Sequence, residues 1–306
     1  MLKVENIVKS FGPKKVLNSI SFEVENGRSL GLLGRNGAGK TTTLRIIMNV
    51  FPADSGSVTL NGKKFNITDC KIGYLPEERG LYPKKNIGEQ IVYFGELRGL
   101  DSHEAKNAAH KWIEKISLSE YWNKRLDTLS KGNQQKIQLA VALINDPDIV
   151  ILDEPFSGLD PVNAQLLKDI VTEQVKLNKI VIFSSHQMSY VEEFCDNIVM
   201  INKGNIVLKG NLQQIKKSYP RTNIELQLSK DNTLETVKSL LSPDACGSKV
   251  VSITERPKTS SFEILLSNPD DKDFLLKYLA DSGVTLDIFR VIEPTLEQIF
   301  VEKEGE

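Results

Sequence analysis

The sequence predicts an α/β fold with a mixed sheet and a helical subdomain, followed by a small α+β domain. A strand–loop–helix unit occupies residues 29–50, and continuous apolar runs follow at 148–152 (DIVIL) and 179–184 (KIVIFS). Such runs are typical of parallel strands that are covered on both faces. Since the order of elements changes towards the end of the chain, we expect a main domain over residues 1–215 and an accessory domain over 216–306.

The strand–loop–helix unit carries a phosphate-binding pattern. Between a strand at Ser29 to Leu33 and a helix at Thr41 to Val50 stands the sequence GRNGAGKT at 34–41, which fits G-x-x-x-x-G-K-[ST]. Glycines let successive backbone N–H groups converge on an anion, and the positive end of the helix dipole points at the same spot. A glycine-rich turn with a solvated lysine is the alternative, and the position of the pattern between a strand and a helix argues against it. The residues expected to bind phosphates are Gly34, Asn36, Gly37, Gly39, Lys40, Thr41 and Thr42.

Hydrophobic periodicity predicts the elements around this loop. Alternation predicts antiparallel strands at Leu2 to Val8 and Ile20 to Val24, which are joined through Phe11-Gly12-Pro13. Phe11 has two equally supported interpretations: an aromatic that stacks on a purine, or an aromatic of the core or turn.

Local signals predict the elements that follow the loop. Asn61-Gly62 is a turn signal, and Asp101-x-x-Glu104 is a capping box. Further strands are predicted at 57–60 and 71–75 on either side of that turn and at 197–202 and 205–209, and helices at 86–97, 101–116, 129–145, 162–177 and 188–195.

Two acidic residues and a histidine follow the buried apolar strands. Asp153 and Glu154 come after the first strand, and His186 follows the second. Ligands bind at the carboxyl ends of strands in open α/β sheets, so these side chains are expected near the phosphate-binding loop. We expect Asp153 and the Thr41 hydroxyl to ligate Mg²⁺, and Glu154 to accept a proton from an attacking water. A solvated acidic loop and a structural histidine are the alternatives.

The last third of the chain has a different pattern. A helix and linker are predicted at 211–223. Strands are then predicted at 224–228, 249–254, 262–266 and 284–292, helices at 233–241 and 270–280, and a terminal helix from Pro294. The order β-α-β-β-α-β is that of the ferredoxin-like, split βαβ arrangement. We find no catalytic constellation in this part of the sequence.

Composition and charge argue against several classes of protein. The formal net charge is −1, so no overall basic field points to nucleic acid. Cys70, Cys195 and Cys246 match no metal or redox spacing and are expected to be reduced thiols of a cytosolic protein. The N-terminus lacks the apolar region of a signal peptide, and no apolar run reaches the ~18 residues of a membrane-spanning helix.

These residues together resemble the nucleotide-binding subunit of an ABC transporter over about residues 1–215. The resemblance rests on several motifs in one order, and it implies a P-loop NTPase fold with a helical subdomain at about 84–128. Residues 34–41 match Walker A, 129–133 (LSKGN) match the signature at three positions, 149–154 match Walker B, 157–160 match the D-loop, His186 matches the switch histidine, and Phe11 falls at the adenine-stacking aromatic.

The resemblance implies an ATPase that works as a pair of subunits. Two subunits, identical or different, would enclose two ATP molecules with Mg²⁺, and each site would combine one subunit's Walker residues with Ser130 and Gly132 of the other. Glu154 would polarise the water, His186 would contact the γ-phosphate, and Asp160 would link the two sites across the interface. A membrane permease on a separate chain would dock into the helical subdomain and hold the protein at the cytoplasmic face of the membrane. No nucleic-acid partner is expected.

Three residues depart from the family pattern. Lys131 replaces the first signature glycine and Asn133 replaces the glutamine, whereas Ser130 and Gly132 remain. Lys131 either adds charge near the nucleotide or points to solvent. Glu77 stands where the family has a glutamine that contacts Mg²⁺. Because a carboxylate can also ligate Mg²⁺, Glu77 is expected to be a metal or coupling residue; the alternative is that its loop only joins two subdomains.

Two further segments indicate a subgroup. Residues 75–82 (LPEERGLY) and 293–300 (EPTLEQIF) resemble the ATPases of bacterial multi-subunit exporters of the sodium and drug types, which implies export and a regulatory or dimer-supporting tail domain. The main alternative is a soluble ABC-type ATPase that acts on nucleic acid or ribosomes. The short gap between Walker A and the signature, the single cassette and the near-zero charge argue against it. A non-hydrolysing module is a third class, against which the presence of Lys40, Glu154 and His186 argues.

Overall fold

The computed structural model describes residues 1–78, 80–229, 234–242, 246–256 and 260–305 of the 306-residue chain. The chain divides into two compact units. The first comprises Met1–Leu212 together with the end of the chain from Lys303, and the second comprises Gln213–Glu302. Two predicted features, Arg79 in the loop after residue 75 and the helix start at Thr233, lie outside the described residues.

The strands of the first unit form two sheets. They are β1 (Leu2–Phe11), β2 (Lys14–Val24), β3 (Arg28–Leu33), β4 (Ser55–Leu60), β5 (Lys63–Lys64), β6 (Ile72–Leu75), β7 (Ile149–Asp153), β8 (Ile180–Ser185), β9 (Asn197–Asn202) and β10 (Asn205–Asn211). Six of them form a mixed sheet in the order β10-β9-β3-β8-β7-β6, in which β10 alone of these six is antiparallel to its neighbour. Every residue of β7 and β8 is buried, as expected for parallel strands covered on both faces. The carboxyl ends of β3, β7 and β8 therefore lie side by side.

The second sheet is antiparallel and has the order β2-β1-β4-β5. The order of its strands shows that one prediction, the pairing of strands across the Asn61-Gly62 turn, was wrong. The Asn61-Gly62 turn joins β4 to the two-residue strand β5, whereas the strand predicted at 71–75 lies as β6 beside β7 in the mixed sheet. The reason is burial: β6 carries apolar residues that pack against a parallel neighbour, while the two lysines of β5 suit an exposed sheet edge.

Helices flank these sheets. They are α1 (Lys40–Ile47), α2 (Ile87–Leu97), α3 (Ser102–Lys115), α4 (Lys131–Leu143), α5 (Pro161–Lys176) and α6 (Met188–Phe194). The predicted capping box at the start of α3 is present: Asp101 accepts the Glu104 backbone N–H at 2.8 Å, and Glu104 accepts that of Asp101 at 3.1 Å. Within this unit α2 and α3 pack on each other and on α4. None of the helices in the described ranges combines the length and the apolar character that crossing a lipid bilayer requires.

One hydrophobic core joins the two sheets to α1. Its buried members include Leu2, Ile7, Leu17 and Ile20 of the antiparallel sheet, Leu44 and Ile47 of α1, and Leu32, Ile151 and Ile182 of the mixed sheet. Because α1 is held between the sheets, the loop that precedes it has a defined position at the edge of the mixed sheet.

The second unit is built on an antiparallel sheet. The described α-helices and strands from residue 212 onward are α7 (Leu212–Ser218), β11 (Asn223–Leu228), α8 (Leu234–Leu240), β12 (Val250–Arg256), β13 (Ser261–Leu266), α9 (Asp271–Asp281), β14 (Leu286–Ile292) and α10 (Leu296–Gly305). The sheet order is β12-β13-β11-β14, which is the ferredoxin-like order that the β-α-β-β-α-β pattern predicts. Apolar residues of β11 and β13 pack with Leu275 and Leu279 of α9 in a core of their own.

Candidate functional site

The phosphate-binding loop joins β3 to α1 at the carboxyl edge of the mixed sheet. Its backbone curls through Gly34, Gly37 and Gly39, which have φ angles of 151°, 81° and 114°. The Lys40 ammonium group bends back over the loop and donates to the Gly34 carbonyl at 2.8 Å. Thr43 Oγ1 donates to the Gly39 carbonyl at 2.9 Å, which fastens the first turn of α1 to the loop.

A cavity of about 420 Å³ lies against this loop. Its volume is within the range of small-ligand sites. Six of the seven predicted phosphate-binding residues line it, and the seventh, Gly34, contributes the carbonyl that Lys40 contacts. The described lining consists of Asn36, Gly37, Gly39, Lys40, Thr41 and Thr42 from the loop and α1, the acidic residues Glu77 and Glu154, and Lys14, Val16 and Arg35.

Lys14 and Val16 are lining residues that the sequence analysis missed. The predicted strand starts at Ile20, whereas β2 starts at Lys14 and so extends towards the phosphate-binding loop. Both line the cavity, although a β-bulge interrupts the pairing of β2 with β1 between Lys15 and Leu17. The apolar residues Val16 and Leu17 ahead of Ile20 are the signal that could have extended the predicted strand towards them.

Phe11 lies at the turn between β1 and β2, outside the lining described above. Its ring meets Phe51 edge-on with centroids 5.6 Å apart, and the Lys9 ammonium group lies 5.5 Å from its centre. The side chain is 49% exposed. These contacts are those of an aromatic at a turn, and the purine-stacking role of Phe11 stays a prediction.

Replacing Gly34 with alanine is expected to destabilise the first unit. A Cβ at this position would lie 2.3 Å from the Ile201 carbonyl oxygen, and the φ of +151° is one that side chains rarely allow. Gly37→Ala is the matched control, because Gly37 also has a positive φ but has open space around it. Urea unfolding should give Gly34→Ala a free energy of unfolding about 1–3 kcal/mol below that of Gly37→Ala. Equal values would contradict the close contact with Ile201.

Glu154 is the centre of a charged cluster beside the cavity. Its carboxylate lies 3.4 Å from Nζ of Lys40 and 2.9 Å from Nδ1 of His186. The side chains of Lys40 and Glu154 are 6% and 5% exposed, whereas His186 is 45% exposed. Among the described residues, Oε1 of Glu154 receives no hydrogen bond although it is buried. The structure thus brings three predicted residues together, and the Oε1 atom that receives no hydrogen bond is the one that lies 3.4 Å from the Lys40 ammonium group.

Asp153 ends β7, next to this cluster. Its side chain is 1% exposed and accepts a hydrogen bond from Oγ of Ser184 on β8. Ser184 also accepts the Glu154 backbone N–H, at 3.1 Å to its Oγ and 3.2 Å to its carbonyl oxygen. Glu154 has a φ of 50°, in the left-handed region. Burial and the Asp153 charge both raise the pKa of Tyr74, a residue of the neighbouring strand β6.

The oxygen donors at this sheet edge suit Mg²⁺. Thr41 offers a hydroxyl, and Asp153 and Glu77 offer carboxylates. Across the part of the chain that the structure describes, no group of three His, Cys, Asp or Glu side chains could hold a metal ion by itself. Mg²⁺ commonly binds through one or two carboxylates together with phosphate oxygens and water. The donor set therefore fits an ion that binds together with a phosphate ligand.

The predicted signature and D-loop residues lie at two helix starts. Ser130 caps α4 by accepting the Asn133 N–H at 3.3 Å. Asp160 caps α5 by accepting the Asn163 N–H at 2.9 Å, and this hydrogen bond lowers the pKa of Asp160. A Cβ on Gly132 would lie 2.8 Å from Nδ2 of Asn163, so the two helix starts are in contact. The structure brings these residues together with each other and outside the cavity lining.

Two glutamines of α4 hold the loops that carry the acidic residues of the cavity. Gln135 Nε2 donates to the Pro155 carbonyl and Gln138 Nε2 donates to the Glu78 carbonyl, both at 3.3 Å. These contacts were not predicted from the sequence. Since glutamines three positions apart lie on one face of a helix, their spacing is the signal that could have revealed them.

Family profiles match both parts of the chain. The ABC transporter profile matches residues 17–157. The profile of the C-terminal domain of DrrA1-3-like ATP-binding proteins matches residues 210–303.

Individual relatives agree with these profiles. The ABC transporter ATP-binding protein YhaQ of Bacillus subtilis is 38% identical over 100% of this chain and 99% of its own length. The linearmycin resistance ATP-binding protein LnrL of Bacillus subtilis is 32% identical over 100% of this chain and 98% of its own length. A solved structure described as the ATP-binding subunit of an ABC transporter superposes with a TM-score of 0.65 at 27% identity, over 71% of this chain and 92% of that one.

Proposed function

Because the chain belongs to the ATP-binding subunits of ABC transporters, we propose that it hydrolyses ATP at the cavity of the phosphate-binding loop and thereby drives export through a separate membrane permease. It is an ATPase subunit of this family, and ATP is its nucleotide. The observation that carries the assignment of the site is the contact of Glu154 with Lys40 and His186 beside that loop. The alternative of a soluble ATPase that acts on nucleic acid or ribosomes is not favoured by the relatives.

Different residues of the chain bind the phosphates, accept the proton from water and would hold the metal ion at this site. Lys40 and the loop glycines hold the phosphates, because the ammonium group and the backbone N–H groups supply positive charge. Glu154 accepts a proton from the attacking water, and the exposed His186 is placed to contact the terminal phosphate. Thr41, Asp153 and Glu77 would hold Mg²⁺, which supplies charge neutralisation on the phosphate oxygens.

Ser130, Gly132 and Asp160 act on the nucleotide of a second ATPase subunit. Their position together at the starts of α4 and α5, outside the cavity lining, supports this assignment. The exposed start of α4 offers backbone N–H groups and the Lys131 side chain to an anion. The pairing is therefore between the cavity of one subunit and the start of α4 of the other.

The permease docks at an aromatic patch formed by Tyr82, Tyr93 and Phe94. Tyr82 stacks on Phe94 with centroids 6.1 Å apart, and Tyr93 meets Phe94 edge-on at 5.6 Å. Tyr82 and Tyr93 are half exposed and line a cavity of about 360 Å³. Buried Gln90 accepts the Tyr82 backbone N–H at 3.1 Å, so the patch is formed before a partner arrives. An amphipathic helix of the permease fits such a groove.

Tyr93→Glu is expected to release the protein from its permease while its own ATPase activity stays at the wild-type level. A charge in the patch opposes docking, and Tyr93 is remote in sequence from the residues of the phosphate cavity. Leu177→Glu is the control, because Leu177 is a similarly exposed apolar residue directly after the end of α5. Membrane fractions from cells that express each variant at the native level should retain the Leu177 variant and lose the Tyr93 variant. Retention of both would contradict docking at the patch.

The names of the relatives support a direction of transport. LnrL is named for linearmycin resistance, and a relative that is 31% identical over 68% of this chain and 70% of its own length is named Nod factor export ATP-binding protein I; these names support export as the direction. We assign the cytoplasmic face of the membrane as the place of action and a regulatory or dimer-supporting role to residues 216–306.

The purified chain should hydrolyse ATP only with Mg²⁺ present. Turnover that persists in excess EDTA would overturn the assignment of the metal.

A further inference from the structure

Ser184 interrupts an apolar strand at the level of the acidic pair Asp153 and Glu154. Every residue of β8 is buried, and its first four residues, Ile180 to Phe183, are apolar. A hydroxyl group inside such a sheet is unfavourable unless its hydrogen bonds are made. The Ser184 hydroxyl therefore requires hydrogen-bond partners, and the structure supplies two.

The Ser184 hydroxyl bridges the two acidic residues. Ser184 is paired with Asp153 in the register of β7 and β8. Its Oγ donates its single proton to Oδ1 of Asp153 and accepts the backbone N–H of Glu154 at 3.1 Å. Donor and acceptor functions of one hydroxyl are thus used on two neighbouring residues, which fixes its orientation.

This bridge acts on both acidic groups. With Oδ1 of Asp153 hydrogen-bonded to Ser184, the carboxylate has a defined rotation and presents Oδ2 as its other acceptor. The Glu154 N–H is held by both the Oγ and the carbonyl oxygen of Ser184, which supports a left-handed φ of 50° that side chains rarely adopt. The direction of the Glu154 side chain follows from that backbone conformation.

We infer that Ser184 is a positioning residue. It orients the Asp153 carboxylate towards Mg²⁺, and it holds the Glu154 backbone in the conformation from which the Glu154 carboxylate reaches the attacking water. The inference rests on the proposed function, since the metal role of Asp153 is part of it. Hydrogen-bond partners behind a metal ligand commonly change metal affinity or activity 10- to 100-fold when they are removed.

The experiment measures metal binding apart from turnover. Mn²⁺, which is detected by electron paramagnetic resonance, is titrated into the full chain loaded with a non-hydrolysable ATP analogue. Ser184→Ala should weaken Mn²⁺ binding roughly 10-fold, while the affinity for the nucleotide measured without metal stays at the wild-type value. Ser184→Thr keeps the hydroxyl and should recover most of the Mn²⁺ affinity. In ATPase assays, kcat should fall in Ser184→Ala with KM for ATP unchanged.

Ser29 provides a matched control on β3. It is also buried, and its Oγ contacts the Asp196 carboxylate at 3.1 Å and donates to the Phe194 carbonyl at 2.8 Å. Ser29→Ala removes a comparable hydroxyl away from the acidic pair. It should lower the unfolding temperature about as much as Ser184→Ala and leave Mn²⁺ binding unchanged.

The outcomes separate the inference from the proposed function. Wild-type Mn²⁺ affinity in Ser184→Ala, or equal weakening in the two alanine variants, would overturn the positioning role alone. Failure of the wild-type chain to bind Mn²⁺ with the nucleotide would overturn the proposed metal site as well. If Ser184→Ala does not fold, Ser184→Cys replaces it: the thiol has a similar shape but is a weak donor, and the same loss of Mn²⁺ affinity is expected.

Discussion

Replacing Glu154 with glutamine is expected to slow ATP hydrolysis roughly 10²- to 10⁴-fold while ATP binding survives. The amide has nearly the shape of the carboxylate, so Lys40 and His186 keep a neighbour, but it cannot accept a proton from water. The rate is measured as phosphate release, and binding is measured with a fluorescent ATP analogue. Glu114→Gln on the exposed face of α3 makes the same chemical change away from the site and should leave the rate unchanged.

The same variant tests the pairing of subunits. Without hydrolysis the ATP-bound pair should persist, so light scattering is expected to detect a stable dimer of Glu154→Gln with ATP and Mg²⁺ and a monomer without ATP. A variant that binds ATP and stays monomeric would contradict pairing of the isolated chain with itself. It would then point to a different ATPase as the mate, or to a permease that brings two copies together.

Replacing Lys40 with alanine is expected to weaken ATP binding about 10- to 100-fold, because charged hydrogen bonds contribute about 1.5–3 kcal/mol. Hydrolysis should fall below detection, since the same ammonium group lies where negative charge of the phosphates must be balanced. Lys14→Ala is the control, because Lys14 lines the same cavity but is an exposed residue. It should change ATP affinity far less, and equal losses would contradict a specific role of Lys40.

Lys40→Ala is also expected to lower the free energy of unfolding, and a double variant tests the cause of this loss. Glu154 is 5% exposed, and the variant removes the cation that lies 3.4 Å from it. Removing one partner of a buried ion pair typically costs about 3–5 kcal/mol, and the loss should be smaller here because Nδ1 of His186 remains 2.9 Å from the carboxylate. The double variant Lys40→Ala/Glu154→Gln has no carboxylate to leave unpaired, so urea unfolding should show it to be more stable than Lys40→Ala.

The main architecture could be predicted because it depends on local patterns. The apolar runs at β7 and β8 indicated buried parallel strands, and the β-α-β-β-α-β order indicated the ferredoxin-like sheet; the structure confirms both. The spacing of glycines, Lys40 and Thr41 placed the phosphate-binding loop for the same reason: its chemistry is encoded in consecutive residues. Glu154 and His186 were placed at neighbouring strand ends by the general rule for α/β sheets.

The features of the fold and the site that could not be predicted depend on contacts between residues that are distant in sequence. Nothing near Asn61-Gly62 shows that Ile72–Leu75 joins another sheet, because the choice is made by packing against β7. The pairing of Ser184 with Asp153 needs the register of two strands separated by a helix. The extension of β2 to Lys14, which brings Val16 to the cavity, is likewise a consequence of pairing with β1.

Under the proposed function, the contact between Lys40 and Glu154 sets an order for the catalytic cycle. The ammonium group that must receive the phosphates is the neighbour of the carboxylate that must receive the proton, with 3.4 Å between them. Phosphate oxygens compete with that carboxylate for the same cation, so nucleotide binding and release of the base are one event. On that proposal Glu154 stays restrained until the nucleotide has bound, so the group proposed to activate water is freed by the molecule that the water attacks.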